Sequence, residues 1–467
     1  MKKDDNSVSV AGSFRDPSGF LFFQNGELYR QVNNCYKEDY NLLMQSGLYE
    51  ELSRDRLLIP HQEVELKFAR QPDISFKVIQ PELLKFISYP YEWSFSQLKD
   101  AALLTLEIQQ KALNKNLSLK DCSAYNVQFL GNRPVFIDTL SFEQYKEGDP
   151  WVAYRQFCQH FLAPLALMAY RDIRLNQLFR IFIDGVPLDL ASSLLPFKTI
   201  SSFGLLVHIH LHAKSQGHFA DKKIKIKKKS FSRNSFLALI DNLQKVIGKL
   251  KWLPYGTEWA EYYDDTNYSD NSFEHKKELI NNFIDQVGPT DVWDLGANMG
   301  VFSQIPEQKG IPTIAFDIDP AAIEKLYLDC RKNEESNMLP LLMDLSNPSA
   351  ALGWANTERM SFIERGPVDT VMALALIHHL AIGNNVPLSE LAGFFSSLCN
   401  NLIIEFVPKE DSQVERLLVS RSDIFDTYTI DNFEEEFKRF FTIEKRQTIG
   451  DSLRTLYFMK KRSINIK

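Results

Sequence analysis

Cysteine is scarce in this sequence, and the cysteines that are present stand far apart. The five residues, none of them in a C-x-x-C pair, are Cys35, Cys122, Cys158, Cys330 and Cys399. Zinc sites built on thiolates need close spacing, so the sequence predicts no metal site of this kind. Scattered thiols are typical of proteins in a reducing compartment, and we therefore expect a cytoplasmic location.

Long apolar runs are also lacking. The most apolar segment, residues 161–169, is much shorter than the roughly 20 residues that a membrane-spanning helix needs. The N-terminus has Lys2 and Lys3, but acids follow and no apolar run does, so it does not resemble a signal peptide. We expect no transmembrane segment.

Positive charge is in short supply in the C-terminal part of the chain. Residues 291–467 contain 26 acidic and 18 basic side chains, a balance of −8 against −7 for the whole sequence. Proteins bind a phosphate backbone mainly through lysine and arginine. The charge balance therefore disfavours nucleic acid as a substrate.

A glycine turn follows a short apolar run in this acidic part of the 467-residue chain. The run ends with Asp294-Leu295, and Gly296 and Gly300 follow with small or polar residues between them. Such a turn lets backbone N–H groups and a helix N-terminus approach a ligand closely. A second apolar run ends at Asp317, about 20 residues later, where a nucleoside ribose needs a hydrogen-bond acceptor.

These motifs, with Met343-Asp344-Leu345 after a third apolar run, resemble the class I S-adenosylmethionine (SAM)-dependent methyltransferase family over roughly residues 256–467. The resemblance implies an α/β domain with a Rossmann-like seven-stranded methyltransferase sheet that ends in an antiparallel hairpin. Apolar runs at 368–376 and 401–407 are the further parallel strands, and 441–446 and 454–459 are the hairpin.

The resemblance also implies which residues bind SAM. They are Asp294, Gly296, Asn298, Gly300, Asp317, Asp344 and Leu345. The turn residues would surround the methionine part, with Asp294 orienting the turn or meeting the ammonium group. Asp317 would accept from the ribose hydroxyls, and Asp344 would bond the adenine amino group. The aromatic residues between 259 and 268 would line the SAM pocket or cap the substrate, or simply pack.

Three further residues are candidates for catalysis: His378, His379 and Glu405. Methyl transfer gains much of its rate from holding the nucleophile and the sulfonium in line. A hydroxyl or ammonium acceptor must also lose a proton, and histidine titrates near neutral pH. Glu405 is the alternative base or a substrate-holding group, and its structural alternative is a hydrogen bond to a neighbouring turn.

The N-terminal part contains a second constellation. Asn25-Gly26 between apolar runs predicts a β-hairpin. Farther along, Asp121 is followed by Asn126, and Asp138 ends a later apolar run. Kinases use such a set because one carboxylate orients the attacking hydroxyl, while the Asn and the second Asp hold Mg²⁺ on the phosphates of ATP.

This segment resembles the protein kinase and aminoglycoside phosphotransferase superfamily, which implies an α+β kinase-like domain over residues 1–250. A helical C-lobe and a lysine-rich loop at 222–229 complete it. The sequence departs from that family in four places. It has no regular glycine-rich loop, Leu119-Lys120 precedes Asp121, Thr139-Leu140 follows Asp138, and Arg30 stands where the phosphate-binding lysine is expected. The alternative is a hairpin with solvated acids in its turns.

We therefore expect a SAM-dependent methyltransferase that acts on a small-molecule or sugar-like acceptor. Its kinase-like domain would position the substrate or regulate the enzyme. One alternative is a bifunctional kinase-methyltransferase that uses Mg²⁺ and ATP in the N-terminal domain. The other is a SAM-binding scaffold without catalytic activity.

Overall fold

The computed structural model describes residues 7–213, 231–254, 270–332, 337–419 and 422–462. The chain forms two compact units. Unit 1 comprises Met1–Leu253 together with Leu352–Arg359, and unit 2 comprises Pro254–Ala351 together with Met360–Lys467. The lysine-rich segment at 222–229 and the aromatic residues between 259 and 268 lie outside the described residues.

Unit 1 contains a five-stranded antiparallel sheet in the order β1-β2-β3-β5-β4. The strands are β1 (Ser7–Ser9), β2 (Gly19–Gln24), β3 (Glu27–Asn33), β4 (His61–Val64) and β5 (Ser75–Pro81). Asn25 and Gly26 join β2 to β3 with positive φ angles of 54° and 85°. Asn and Gly tolerate this left-handed backbone, which suits a two-residue hairpin turn. The predicted hairpin is confirmed.

Two short antiparallel pairs follow the sheet in unit 1. β6 (Leu117–Leu119) pairs with β9 (Phe142–Gln144), and β7 (Val127–Leu130) pairs with β8 (Arg133–Phe136). Asp121 and Asn126 lie between β6 and β7, and Asp138 follows β8. Among the described residues of unit 1, the α-helices are Lys37–Gln45, Leu48–Arg54, Phe95–Asn114, Tyr154–Phe157, Ala163–Tyr170, Leu188–Leu194, Phe203–Leu205 and Arg233–Lys249.

The longest helix of unit 1, Phe95–Asn114, shows how the sequence sets its start and its packing. Ser94 and Gln97 form a capping box, in which each side chain bonds the backbone N–H of the other. The buried Gln109 then joins the helix to β6, because its amide donates to Ser118 Oγ and accepts from the Leu119 N–H. The helix thereby supports the segment that holds Asp121.

Unit 2 is built on a seven-stranded sheet in the order β12-β11-β10-β13-β14-β16-β15. The strands are β10 (Val292–Leu295), β11 (Thr313–Asp317), β12 (Met338–Leu342), β13 (Val368–Ala373), β14 (Cys399–Phe406), β15 (Phe441–Thr448) and β16 (Thr455–Lys461). The first five strands in chain order run parallel, and β16 runs antiparallel to both β14 and β15. The predicted α/β class is confirmed.

The α-helices in the described part of unit 2 are Asp270–Val287, Gln304–Gln308, Pro320–Lys332, Leu388–Leu398, Ser412–Leu418 and Ile430–Lys438. Ile280 and Phe283 of the first of these helices pack with Met372, Ile403 and Phe458 of the sheet in one buried cluster. This packing brings the same face of the helix, which includes Lys276, toward the sheet. Within the described residues, no helix is both long enough and apolar enough to cross a bilayer.

Candidate functional site

A cavity of about 390 Å³ lies in unit 2 where parallel strands end. The strand order reverses between β10 and β13, and ligands of open α/β sheets bind in the crevice at such a switch point. The predicted residues that line the cavity are Asp294, Gly296, Asn298, Asp317, Asp344, Leu345 and His379. Gly300, His378 and Glu405 are not among the described residues that line it.

The glycine turn after β10 has three residues with left-handed backbone. The φ angles are 80° at Gly296, 50° at Asn298 and 73° at Gly300. The Gly296 N–H donates to the Phe316 carbonyl at 2.8 Å, so the turn is fixed against β11. A Cβ on Gly300 would approach a methyl group of Leu326 to 2.8 Å. Gly300 therefore allows Leu326 to pack closely against the turn.

Asp317 at the end of β11 holds this turn in place. Its carboxylate accepts the Asn298 N–H at 2.7 Å and the Asp319 N–H at 2.8 Å. Burial raises the pKa of Asp317 to about 6, although these backbone N–H groups oppose the rise. The carboxylate lines the cavity and keeps further acceptor capacity, since each oxygen has two lone pairs.

Asp294 is the second buried acid of the cavity. Ser303 Oγ donates to its Oδ2 at 2.6 Å, whereas Oδ1 is buried without a hydrogen-bond partner in the described part of the chain. Burial raises the pKa of Asp294 to about 7, and the Ser303 hydroxyl and the Lys276 ammonium act in the opposite direction. A buried acceptor with an unused oxygen is suited to a cationic or N–H-bearing ligand group.

Asp344 and Leu345 follow β12 and line the cavity. Asp344 Oδ1 accepts from both the backbone N–H and the hydroxyl of Ser346, at 2.8 and 2.6 Å. Both residues are partly exposed, unlike Asp294 and Asp317. One carboxylate oxygen of Asp344 is thus fixed by the loop, and Leu345 supplies an apolar surface beside it.

The two histidines differ in position although they are neighbours. His379 lines the cavity, and burial together with the charge of Arg454 lowers its pKa to about 4. His378 is fully buried behind it, with the two ring centroids 4.1 Å apart. Burial, followed by the effect of His379, holds the pKa of His378 well below its usual range. Both rings are therefore neutral at pH 7, and only His379 faces the cavity.

Glu405 belongs to a buried ion-pair network instead of the cavity wall. Its carboxylate lies 2.6 Å from Lys276 Nζ and 3.4 Å from Arg454 Nη1, and the Glu405 side chain is 0% exposed. Arg454 also forms two hydrogen bonds to Asp411, at 2.7 and 3.0 Å. The sequence suggested Glu405 as a base or substrate-holding group, but the structure engages its carboxylate with two cations.

Lys276 is a cavity residue that the sequence did not single out. It lines the cavity while its ammonium pairs with Glu405 and lies 4.3 Å from the Phe302 ring centroid. Burial lowers its pKa, against the effect of Glu405. A signal was present, because Lys276 falls between Phe273 and Ile280 on the apolar face of its helix. A lysine at such a position requires a buried partner.

The three kinase-like residues of unit 1 lie close together. Asp121 accepts from the Ser123 N–H and from Gln156, and burial followed by the nearby Asp138 raises its pKa. Asn126 donates to Ser141 Oγ at 3.3 Å, and the same hydroxyl donates to Asp138. Among the described residues, no group of three or more His, Cys, Asp or Glu side chains is arranged to hold a metal ion.

Comparisons with known proteins bear on the whole chain. No protein-family model matches the sequence. Among solved structures, WbdD in complex with a kinase inhibitor is 17% identical, with 43% of each chain covered and a TM-score of 0.30. Magnesium protoporphyrin IX methyltransferase from Synechocystis PCC 6803 with bound SAH is 16% identical, covering 44% of this chain and 93% of its own, with a TM-score of 0.31. Neither TM-score is high enough to support a functional argument.

One sequence relative is much closer. The nodulation protein NoeA of Rhizobium meliloti (strain 1021) is 35% identical over 461 residues. The alignment covers 97% of this chain and 96% of NoeA, so it includes both units. The chain belongs to the family of the nodulation protein NoeA.

Proposed function

We propose that the chain is a SAM-dependent methyltransferase and that the cavity of unit 2 binds the cofactor. The observation behind this proposal is the pair of buried acids at the ends of neighbouring strands, Asp294 on β10 and Asp317 on β11. Asp294 offers an unpartnered oxygen, and Asp317 faces the same cavity. A SAM molecule presents an ammonium group and two ribose hydroxyls, which are the donors that such acceptors need.

The described residues fit the parts of this cofactor. Asp294 Oδ1 would accept from the ammonium group, and Asp317 would accept from the ribose hydroxyls. The free oxygen of Asp344 would accept from the adenine amino group, with Leu345 against the ring. When bound, SAM supplies an electrophilic methyl group on its sulfonium. The protein residues orient the acceptor in line with it and exclude water.

His379 is the proposed general base for a small-molecule or sugar-like acceptor. A pKa near 4 keeps its ring neutral above about pH 5, so the ring is unprotonated throughout the physiological range, and it is a weaker base than an ordinary histidine. Its place on the cavity wall allows direct contact with an acceptor hydroxyl. His378 would act behind it by packing against the His379 ring.

Replacing His379 with alanine is expected to lower kcat about 10²- to 10⁴-fold, the usual contribution of a positioned base. The measurement is the initial rate of S-adenosylhomocysteine release with saturating cofactor and an acceptor obtained by screening sugar-like hydroxyl compounds. His275→Ala is the matched control, since His275 accepts from the Gly450 N–H away from the cavity lining. A His379→Ala rate equal to that of the control would remove His379 from the mechanism.

Cofactor affinity should depend on pH through Asp294. Its folded-state pKa near 7 means that the carboxyl is mostly protonated at pH 6 and must lose a proton to pair with the ligand ammonium. Binding of SAM is therefore expected to weaken about tenfold from pH 8 to pH 6. Calorimetry on the unaltered protein and on Asp294→Asn separates this effect from titration of the ligand. Parallel pH profiles for the two proteins would contradict the assignment.

The direct test of the proposed function combines binding with turnover. Calorimetry should show one SAM bound per chain, and the acceptor screen should release S-adenosylhomocysteine. Tight binding without any release across the screen would instead support a SAM-binding scaffold. Absence of binding would exclude both, because both require the cavity to hold the cofactor.

We further propose that residues 1–250 form a kinase-like domain that positions substrate for, or regulates, a methyltransferase domain over residues 256–467. The five-stranded antiparallel sheet and the grouping of Asp121, Asn126 and Asp138 support this proposal. The bifunctional alternative predicts Mg²⁺-dependent ATP turnover that is lost in Asp138→Ala. A cytoplasmic location completes the proposal.

A further inference from the structure

The kinase-like resemblance places Mg²⁺ on Asn126 and Asp138, and the geometry of unit 1 allows that expectation to be tested. Magnesium requires about six oxygen ligands in near-octahedral geometry at roughly 2.0–2.1 Å. The carboxylate and amide oxygens must therefore face a common point and be free of strong internal donors. The residues around Asp138 do not meet this requirement.

Both oxygens of Asp138 already accept from the protein. Arg30 Nη1 lies 2.5 Å from Oδ1, which also accepts the Leu140 N–H at 3.1 Å. The Ser141 hydroxyl donates to Oδ2. Burial would raise the pKa of Asp138, but the Arg30 guanidinium and these donors hold it below its usual value. The carboxylate is therefore ionised and paired without any metal.

The Arg30 side chain is itself built into the fold. It extends from β3 and is only 10% exposed, and the Asp138 side chain is 15% exposed. The Nε atom of Arg30 is buried without a hydrogen-bond partner among the described residues. The guanidinium can thus hold Asp138 through Nη1 and still donate through Nε to an oxygen of a ligand.

The pair formed by the Arg30 guanidinium and the Asp138 carboxylate has no net charge without a divalent ion. Lys120 is also held in place, since its ammonium donates to Ser18 Oγ at 2.9 Å and lies 4.6 Å from the Tyr36 ring centroid. A metal bound at Asp138 would have to displace a buried guanidinium and leave that charge unpaired.

We propose that Arg30 is the resident cation of this cluster and takes the place of a divalent metal beside Asp138. The proposal rests on the kinase-like resemblance only for the expected metal position. It implies that unit 1 works without Mg²⁺, and that any phosphate or other oxyanion it binds is met by guanidinium and ammonium donors.

Mn²⁺ titration followed by electron paramagnetic resonance tests the proposal with the 467-residue chain and no nucleotide. The unaltered protein should bind Mn²⁺ no better than Asp138→Asn does. Arg30→Ala frees the Asp138 carboxylate, so it should bind Mn²⁺ at least about tenfold more tightly than the unaltered protein. Adding Asp138→Asn to Arg30→Ala should abolish that gain.

Two controls and one replacement variant keep the outcomes distinct. Arg56→Ala removes an arginine from an exposed ion pair with Glu82 in the same unit and should gain no Mn²⁺ affinity. Arg30→Lys retains the cation and should remain metal-free, and Arg30→Met replaces Arg30→Ala if the latter does not fold. Mn²⁺ binding to the unaltered protein that Asp138→Asn removes, or a folded Arg30→Ala without any gain, overturns the proposal. The Mn²⁺ affinities are measured without SAM, so their outcome does not depend on cofactor binding by unit 2.

Discussion

Glu405→Ala is expected to lower the free energy of unfolding by about 3–5 kcal/mol, the usual cost of removing one partner from a buried ion pair. The substitution would leave Lys276 and Arg454 facing each other's positive charge in an interior where both are 1% exposed. Asp411 would still pair with Arg454, but the ammonium of Lys276 would lose its nearest carboxylate. Urea denaturation followed by circular dichroism measures the change.

The matched control for this prediction is Glu82→Ala. Glu82 pairs with Arg56 at 3.0 Å, but the two side chains are 43% and 60% exposed. Exposed pairs contribute about 0–1 kcal/mol, so the control should barely shift the urea midpoint. Equal losses in the two variants would show that the buried Glu405 ion pairs stabilise the protein no more than an exposed pair does.

Asp317→Ala is expected to weaken SAM binding about 100-fold or more. Hydrogen bonds to a charged group are worth about 1.5–3 kcal/mol each, and the cofactor ribose would lose two. The variant also releases the Asn298 N–H, which holds the left-handed turn beside the ligand. The two effects act in the same direction. Calorimetry at pH 8 gives the dissociation constants.

Two further variants show whether a loss of affinity in Asp317→Ala comes from the lost acceptor oxygens. Asp317→Asn keeps the shape and one acceptor oxygen, so its loss of affinity should be smaller than that of the alanine variant. Asp329→Ala removes an exposed acid from the helix Pro320–Lys332, where Asp329 pairs with Lys332, and should bind SAM normally. An Asp317→Ala protein that is folded and binds SAM as tightly as the Asp329 variant would contradict the ribose assignment.

Local sequence patterns were sufficient to predict the strands of unit 2 and several residues that line its cavity. Apolar runs that end in Asp294 and Asp317 predict strands, and those strands place both acids at the same sheet edge because parallel strands share their direction. Glycine turns are equally local. Gly296 lines the cavity, whereas the close contact of Gly300 with Leu326 depends on how a later helix packs.

The roles of Glu405 and His378 depend on partners far away in the sequence. Arg454 on the terminal hairpin and Lys276 on the helix before β10 converge on Glu405 only in the folded unit. An acid at a strand end is equally suited to catalysis and to such a network, so spacing alone could not distinguish them. Likewise, a histidine pair does not reveal which ring faces the cavity.

The assignment of the segment Leu352–Arg359 to unit 1 also depends on distant partners. The Glu358 carboxylate accepts hydrogen bonds from Arg15 at 2.6–3.2 Å, and the Arg359 guanidinium lies 4.2 Å from the Tyr125 ring centroid. These contacts assign the segment to unit 1, although its position in the sequence lies between strands of unit 2. No periodicity or motif marks that assignment, because it rests on pairings between residues that are remote in the chain.

A crystal structure of the protein with S-adenosylhomocysteine would test cofactor binding by the unit 2 cavity without an intermediate step. We expect ligand density across the ends of β10, β11 and β12, with the ribose hydroxyls about 2.6–3.0 Å from the Asp317 carboxylate and the ammonium at Asp294 Oδ1. Ligand density outside this cavity, or a bound ribose that Asp317 does not contact, would contradict this expectation.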